Sequence, residues 1–457
     1  MSDLTDRSAR ALARLIRRRD VSAVEVVEAH LARIERLNPL LNAIVTLDAD
    51  GALRQAQAID AEPARVGGPL LGVPLTLKDC HETAGMRTTS GHPPLADYVP
   101  DHDGTVAQRL RAAGAILLGK TNVSQLLADS QSNNPVFGRS NNPWNLERTP
   151  GGSSGGAAAA IAARMTPLDI GSDIGGSIRM PAHCCGIVGI KPTERRVSNY
   201  GHIPDLPGEP RGARYMNAIG PMARDIDDLA LALAIIQGPD GEDLDVVPTP
   251  TDSLPNLERV SLSDVEFAFA TSFPGLPVSA DIRAAIEGVA GAIAATDARI
   301  EETLPEIDFA EQIEVRATLR RYVRIFTEPP AEALPADAYF HALDRRDAFV
   351  RAWQAFLADR VLICPVMMTT AFPHCERDTP VTVDGVEQPY VFLADYCRPF
   401  NLTGHPVVTI PVGLDRDGLP IGIQIVGPLW SDARLLAIAR ELTEIIDPVG
   451  MPVPLSS

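Results

Sequence analysis

Short apolar runs alternate with helix-period segments along most of this chain, and that alternation confines it to an α/β architecture of helices around a mixed sheet. Val24, Val27, Leu31, Ile34 and Leu37 recur at helical spacing within 21–37, Ser22 and Glu25 read as a capping box, and Asn38 with Pro39 is expected to stop that helix. The segment Pro69 to Lys78, PLLGVPLTLK, is short, apolar and bounded by Gly and Pro, so it reads as a buried strand ending at the lysine. A helix is expected over 106–113, a strand over 115–118 and an Ala-rich helix over 157–165. The last third repeats the pattern, with VLICPV and HPVVTIPVGL as strands and a closing helix over 432–446.

Neither a Gly/Ser-rich tether nor a low-complexity tract divides the 457 residues, so a single domain over 1–457 is expected. A Pro- and Asp-rich stretch, from the helix after Ile226 to about Leu257, is the best place for a subregion to begin. Residues 195–215 are crowded with Gly, Pro and charge and read as a long irregular loop, either a lid or a solvated connection.

The chain carries 59 acidic and 41 basic residues, a net charge of −18, so its overall field repels a phosphate backbone and nucleic acid is not expected as a partner. The N-terminus lacks the apolar stretch of a signal peptide, and no run is long enough to span a bilayer, so no membrane partner is expected. Six cysteines show neither CxxC pairs nor a disulfide framework, which fits reduced thiols in a cytoplasmic enzyme. His183, Cys184 and Cys185 lack zinc-site spacing and read as buried packing; no metal is assigned.

Three glycine-rich segments compete for a chemical role. GAILLGKT, Gly114 to Thr121, spells a P-loop, but Ala-Ile-Leu-Leu between its glycines looks like a strand rather than a phosphate cradle, which places Lys120 just beyond a strand end. GGSSG, Gly151 to Gly155, spells a nucleophile elbow around Ser153, yet the preceding NNPWNLERTP is loop-like where an elbow needs a strand. An α/β-hydrolase-type esterase with Ser153 and a His base (His183, His202, His341, His374 or His405) is the alternative reading. In SDIGGSIRMP, Ser172 to Pro181, a glycine pair precedes a serine, and such backbone lets consecutive N–H groups converge as an oxyanion hole requires.

Lys78–Asp79, TPGGSSGG at Thr149 to Gly156 and SDIGGSIRMP together resemble the amidase signature family. ARIERLNPLLNAI, AGAILLGKTN, FGRSNNPWNLERTPGGSSGG, GPMARDIDDLALAL and PFNLTGHPVVTIPVG…GLPIGIQIVGP extend the resemblance in order, with core motifs over about 65–235 and a more variable subregion over about 240–395. The resemblance implies the amidase signature fold, a central mixed sheet covered by helices on both faces. It also implies a Ser-cisSer-Lys triad: Ser177 as nucleophile, Ser153 as relay after a cis Gly152–Ser153 bond, and Lys78 as base. Backbone N–H groups of Ile174, Gly175, Gly176 and Ser177 correspond to the oxyanion donors, and Ser130, Gln131 and Ser172 to substrate-binding positions.

That implied chemistry is physically coherent. Serine attacks an amide only when a base takes its proton, and lysine is such a base only when burial brings its pKa of about 10.4 toward neutrality. A strand-end position inside a sheet supplies that burial. Asp173 and Arg179 are expected to pair and hold the turn. The expected reaction is hydrolysis of a C–N bond in amides, among them aryl amides and carbamates (urethanes), with esterase side activity and no cofactor. Pocket residues are expected from 126–132, 195–215 and 372–396, whose aromatic and polar mixture suits a small aryl or alkyl amide better than a highly charged substrate. The chain is expected to act as a monomer or homodimer, a glutaminase-type subunit of a larger complex being the other relative weighed.

Overall fold

The computed structural model describes residues 4–62, 67–249, 254–450 and 452. The first three residues of the N-terminal segment, residues 250–253 of the Pro- and Asp-rich stretch and most of the last seven residues lie outside the described residues. Among the described residues, eleven strands form one mixed sheet. Its spatial order is Ile44–Leu47, Ile116–Thr121, Pro74–Lys78, Leu168–Asp173, Ala218–Ala223, Val188–Lys191, Val407–Leu414, Pro420–Val426, Arg360–Pro365, Glu266–Phe269 and Arg299–Glu302.

The middle strands are buried along their whole length, which is why they read as continuous apolar runs rather than as an in-out alternation. Helices cover this sheet, the all-buried Gly155–Ala162 and the mostly buried Ile226–Ile236 among them, and join it in one extensive hydrophobic core. Among the described residues no helix is long and apolar enough to cross a membrane.

Three expected boundaries shift for physical reasons. The helix capped by Ser22 and Glu25 spans Ala23–Leu41 and runs through Pro39 instead of stopping before it. Proline falls in the last turn, and the Asn38 side chain secures that end by accepting from the N–H groups of Ala43 (3.0 Å) and Ile44 (2.8 Å). The strand expected over 115–118 runs Ile116–Thr121 and takes in Lys120. Gly119 serves this strand: a Cβ there would lie 2.0 Å from the Thr46 carbonyl oxygen of the neighbouring strand, so the P-loop spelling marks a close backbone approach, not a phosphate cradle. The strand ending at Lys78 begins at Pro74, because residues 69–72 form turns. Residues 195–215 contain no helix or strand, as expected.

Candidate active site

Pro74–Lys78 runs parallel to Leu168–Asp173 with Leu77 opposite Ile170, so both strands end on the same side of the sheet and bring Lys78 beside Ser172. Lys78 is completely buried. Its Nζ donates to Ser153 Oγ (2.8 Å), Ser172 Oγ (3.0 Å) and the Ser172 carbonyl (3.3 Å). Burial pushes its pKa down to about 8, against the opposing pull of Asp173 and Asp169. The Gly152–Ser153 peptide bond is cis. Ser132 fixes the loop around it, its hydroxyl donating to the Ser153 carbonyl (3.2 Å) and accepting from the Gly155 N–H (2.8 Å).

The turn that follows Asp173 is organised by that carboxylate. Asp173 accepts from the Gly176 N–H (2.7 Å) and the Ile178 N–H (3.1 Å), and from Arg179 Nε and Nη2 (3.0 and 2.8 Å). Burial alone would raise its pKa, but the Arg179 guanidinium and these donors hold it well below the usual carboxylate range. Arg179 also reaches Asn401 Oδ1 (2.6 Å), Gln424 Oε1 (2.7 Å) and the Cys397 carbonyl (2.8 Å), so the expected Asp173–Arg179 pair is the centre of a buried network. Gly176 has φ +109°, and a Cβ there would meet Cys397 Cβ at 2.9 Å, so the turn requires glycine on both counts.

Ser177 stands at the end of this turn, 6% exposed, and lines a cavity of about 450 Å³. Its carbonyl accepts from the Ser154 N–H (3.2 Å), which ties the Ser177 turn to the Ser153 loop. The N–H groups of Ile174, Gly175 and Ser177 meet no protein acceptor among the described residues. Gly176, expected with them as an oxyanion donor, differs: its N–H is engaged by Asp173, because a carboxylate three residues earlier closes the turn.

The other expected pocket residues divide. Ser130 lines the cavity. Gln131 lies outside its wall and holds the 375–390 region instead, donating to the Cys375 carbonyl (2.9 Å) and Tyr390 Oη (3.2 Å). Ser172 is spent on Lys78. Residues 127–130, 377–378 and 390–394 contribute to the wall, whereas 195–215 contribute nothing to it.

Sequence reasoning missed the opposite wall, which comes from the helix Phe309–Val323 and Arg324. Arg316, Arg320 and Arg324 follow one another at four-residue spacing, and that helical stripe was the available signal. The pocket, expected to be aromatic and polar and to suit a small aryl or alkyl amide better than a highly charged substrate, is instead strongly arginine-lined.

No histidine hydrogen-bonds to Ser153 or Ser177 among the described residues. His183 is held between Gly422 and the Thr369 carbonyl, and His405 contacts Thr403 Oγ1. No strand leads directly into GGSSG either.

The Amidase family model matches residues 25–322 and 314–436. A glutamyl-tRNA(Gln) amidotransferase subunit of Roseiflexus sp. (strain RS-1) is 35% identical over 94% of this chain and 94% of its own. The solved structure of 6-aminohexanoate cyclic dimer hydrolase in complex with substrate aligns with a TM-score of 0.84 and 27% identity, covering 99% of this chain and all of that one. A bacterial aryl acylamidase of the amidase signature enzymes shares the fold, with a TM-score of 0.82, 24% identity and 96% of each chain covered. Matched in this way over nearly its whole length, the chain belongs to the amidase signature family, whose members act on C–N bonds.

Proposed function

We propose that this protein hydrolyses amide C–N bonds through an acyl-enzyme on Ser177, with Ser153 relaying the proton and neutral Lys78 as its base. The observation that carries this reading is the 2.8 Å hydrogen bond from a fully buried Lys78 to the Ser153 hydroxyl. As Ser177 Oγ attacks the carbonyl carbon, its proton moves to Ser153 Oγ while the Ser153 proton moves to Lys78 Nζ. The oxyanion then faces the free N–H groups of Ile174, Gly175 and Ser177. Collapse of that intermediate breaks the C–N bond, and the proton returns through Ser153 to the leaving nitrogen. Water hydrolyses the acyl-enzyme by the same relay, and the scheme requires no cofactor.

Aryl amides and carbamates (urethanes) are the proposed substrates, with esters as a side activity. The likeness to 6-aminohexanoate cyclic dimer hydrolase supports a small amide. Six free cysteines, five of them buried, support a cytoplasmic location, and a monomer or homodimer suffices for the chemistry.

The test is labelling with a fluorophosphonate probe and mapping the modified residue by mass spectrometry, alongside hydrolysis of para-nitroanilides. Label on Ser177 and loss of turnover in Ser177→Ala are expected. Label on Ser153, or a histidine whose removal abolishes turnover while Lys78→Ala is tolerated, would sink the reading. One finding favours a second reading, as the amide-cleaving component of an amidotransferase: the 35% identity to the Roseiflexus protein. Glutamine hydrolysis that appears only when partner subunits are added would select it.

A further inference from the structure

The cavity in front of Ser177 is cationic, although the protein as a whole carries a net charge of −18. Arg316, Arg320, Arg321, Arg324, Arg377 and Arg398 line it, against only Asp129 and Asp378. Four of these arginines have counter-ions: Arg320 and Arg324 share Glu328 (2.7 and 3.6 Å), Arg377 lies 3.9 Å from Asp378, and Arg398 pairs with Asp395. Asp129 is already engaged, accepting from Tyr390 Oη (2.7 Å) and from the Ser130 N–H (2.8 Å). Arg316 and Arg321 have no ion-pair partner among the described residues.

Arg316 is the informative member of the set. It is 8% exposed, its Nη2 donates to the Ile174 carbonyl (3.2 Å), and its Nε finds no partner. A Cβ on Gly175 would lie 3.0 Å from that Nη2, so the guanidinium sits directly against the turn that presents Ser177. A buried guanidinium without a counter-ion is costly, and a planar carboxylate with two oxygens matches its fork.

We propose that the substrate is an amide bearing a carboxylate, which Arg316 takes in a charge-assisted pair while the exposed Arg321 draws it to the cavity entrance. The proposal rests on the hydrolytic reading above and narrows its substrate class. A neutral anilide would leave the Arg316 charge buried and unanswered.

The experiment compares butyryl para-nitroanilide with two anionic partners, the succinyl para-nitroanilide and an N-butyryl anilide carrying the carboxylate on its ring. One anionic compound is expected to exceed the neutral one by about 100-fold in kcat/KM, since a desolvated charge pair contributes on that scale. Arg316→Met should shrink the advantage to about threefold, and raised ionic strength should shrink it in the wild type. Arg321→Gln, on an exposed side chain, should reduce the advantage about threefold, chiefly through KM, and keeps the question decidable if Arg316→Met does not fold. Equal or better turnover of the neutral anilide, or an advantage unchanged in every folded arginine variant, overturns the proposal.

Calorimetry on Ser177→Ala separates the two readings. Glutaramate binding at least about tenfold tighter than valeramide sustains the anion site, and equal binding overturns it, whatever becomes of the hydrolytic scheme. Absence of both probe labelling and anilide turnover overturns the hydrolytic scheme alone.

Discussion

Lys78 and Lys120 occupy neighbouring parallel strands, Leu77 facing Lys120 and Lys78 facing Thr121, and burial depresses both to a pKa of about 8. Their surroundings differ. Lys120 Nζ donates to the His81 carbonyl, and the acid that acts on it most strongly is Asp79, whose own carboxyl burial raises to about 6. Lys78 donates to two hydroxyls, and one of them, Ser153, belongs to the loop bonded to Ser177. A depressed pKa thus makes a lysine available for proton transfer without giving it a proton to take. A carbonyl neighbour has none to offer, whereas a hydroxyl can lose one and regain another.

The largest break in this comparison is expected from Lys78→Ala, which should lower kcat/KM for an anilide by about 10⁴-fold, at the upper end of general-base contributions, without unfolding the protein. Steady-state kinetics with a thermal melt checks both halves, and a loss below about tenfold would mean the base lies elsewhere. Ser153→Ala comes next, at about 10²- to 10³-fold, because a water can occupy the vacated place imperfectly. An equally active Ser153→Ala enzyme would show that the lysine serves Ser177 without a relay.

The pH profile sharpens the contrast further. The base must be neutral, so log(kcat/KM) should rise about one unit per pH unit below about 8 and level off above it, following the lowered pKa of Lys78. A plateau reached well below pH 7 would assign that limb to another group. The smallest effect on catalysis is expected from Lys120→Met, with kcat/KM within about threefold of wild type and an unmoved pH midpoint. Its cost falls on stability, about 2 kcal/mol, because the buried His81 carbonyl loses the donor that Lys120 supplies, and a denaturant titration reads that directly.

How much of this was legible in the sequence depended on the range of the interactions involved. Local signals carried well: the capping box at Ser22 and Glu25, the apolar strand before Lys78 and the glycines around Ser177 all act within a few residues. Pairwise register did not. Nothing near Gly119 announces that the Thr46 carbonyl crowds it, so the strand looked shorter than it is. The cavity wall was hidden for the same reason, because the four-residue spacing of Arg316, Arg320 and Arg324 shows that they share a helix face but not what the face opposes. Likewise, the capture of the Gly176 N–H by Asp173 is a matter of turn geometry that composition leaves open.

The network around Arg179 has a temporal consequence. Its partners Cys397, Asn401 and Gln424 lie 218 to 245 residues further along the chain, so the turn carrying Ser177 lacks its anchors while a ribosome is still producing the middle of the protein. On the proposed mechanism competence is deferred to the end of synthesis, because a nascent chain that already holds Lys78, Ser153 and Ser177 still lacks the strand that brings Gln424 to Arg179.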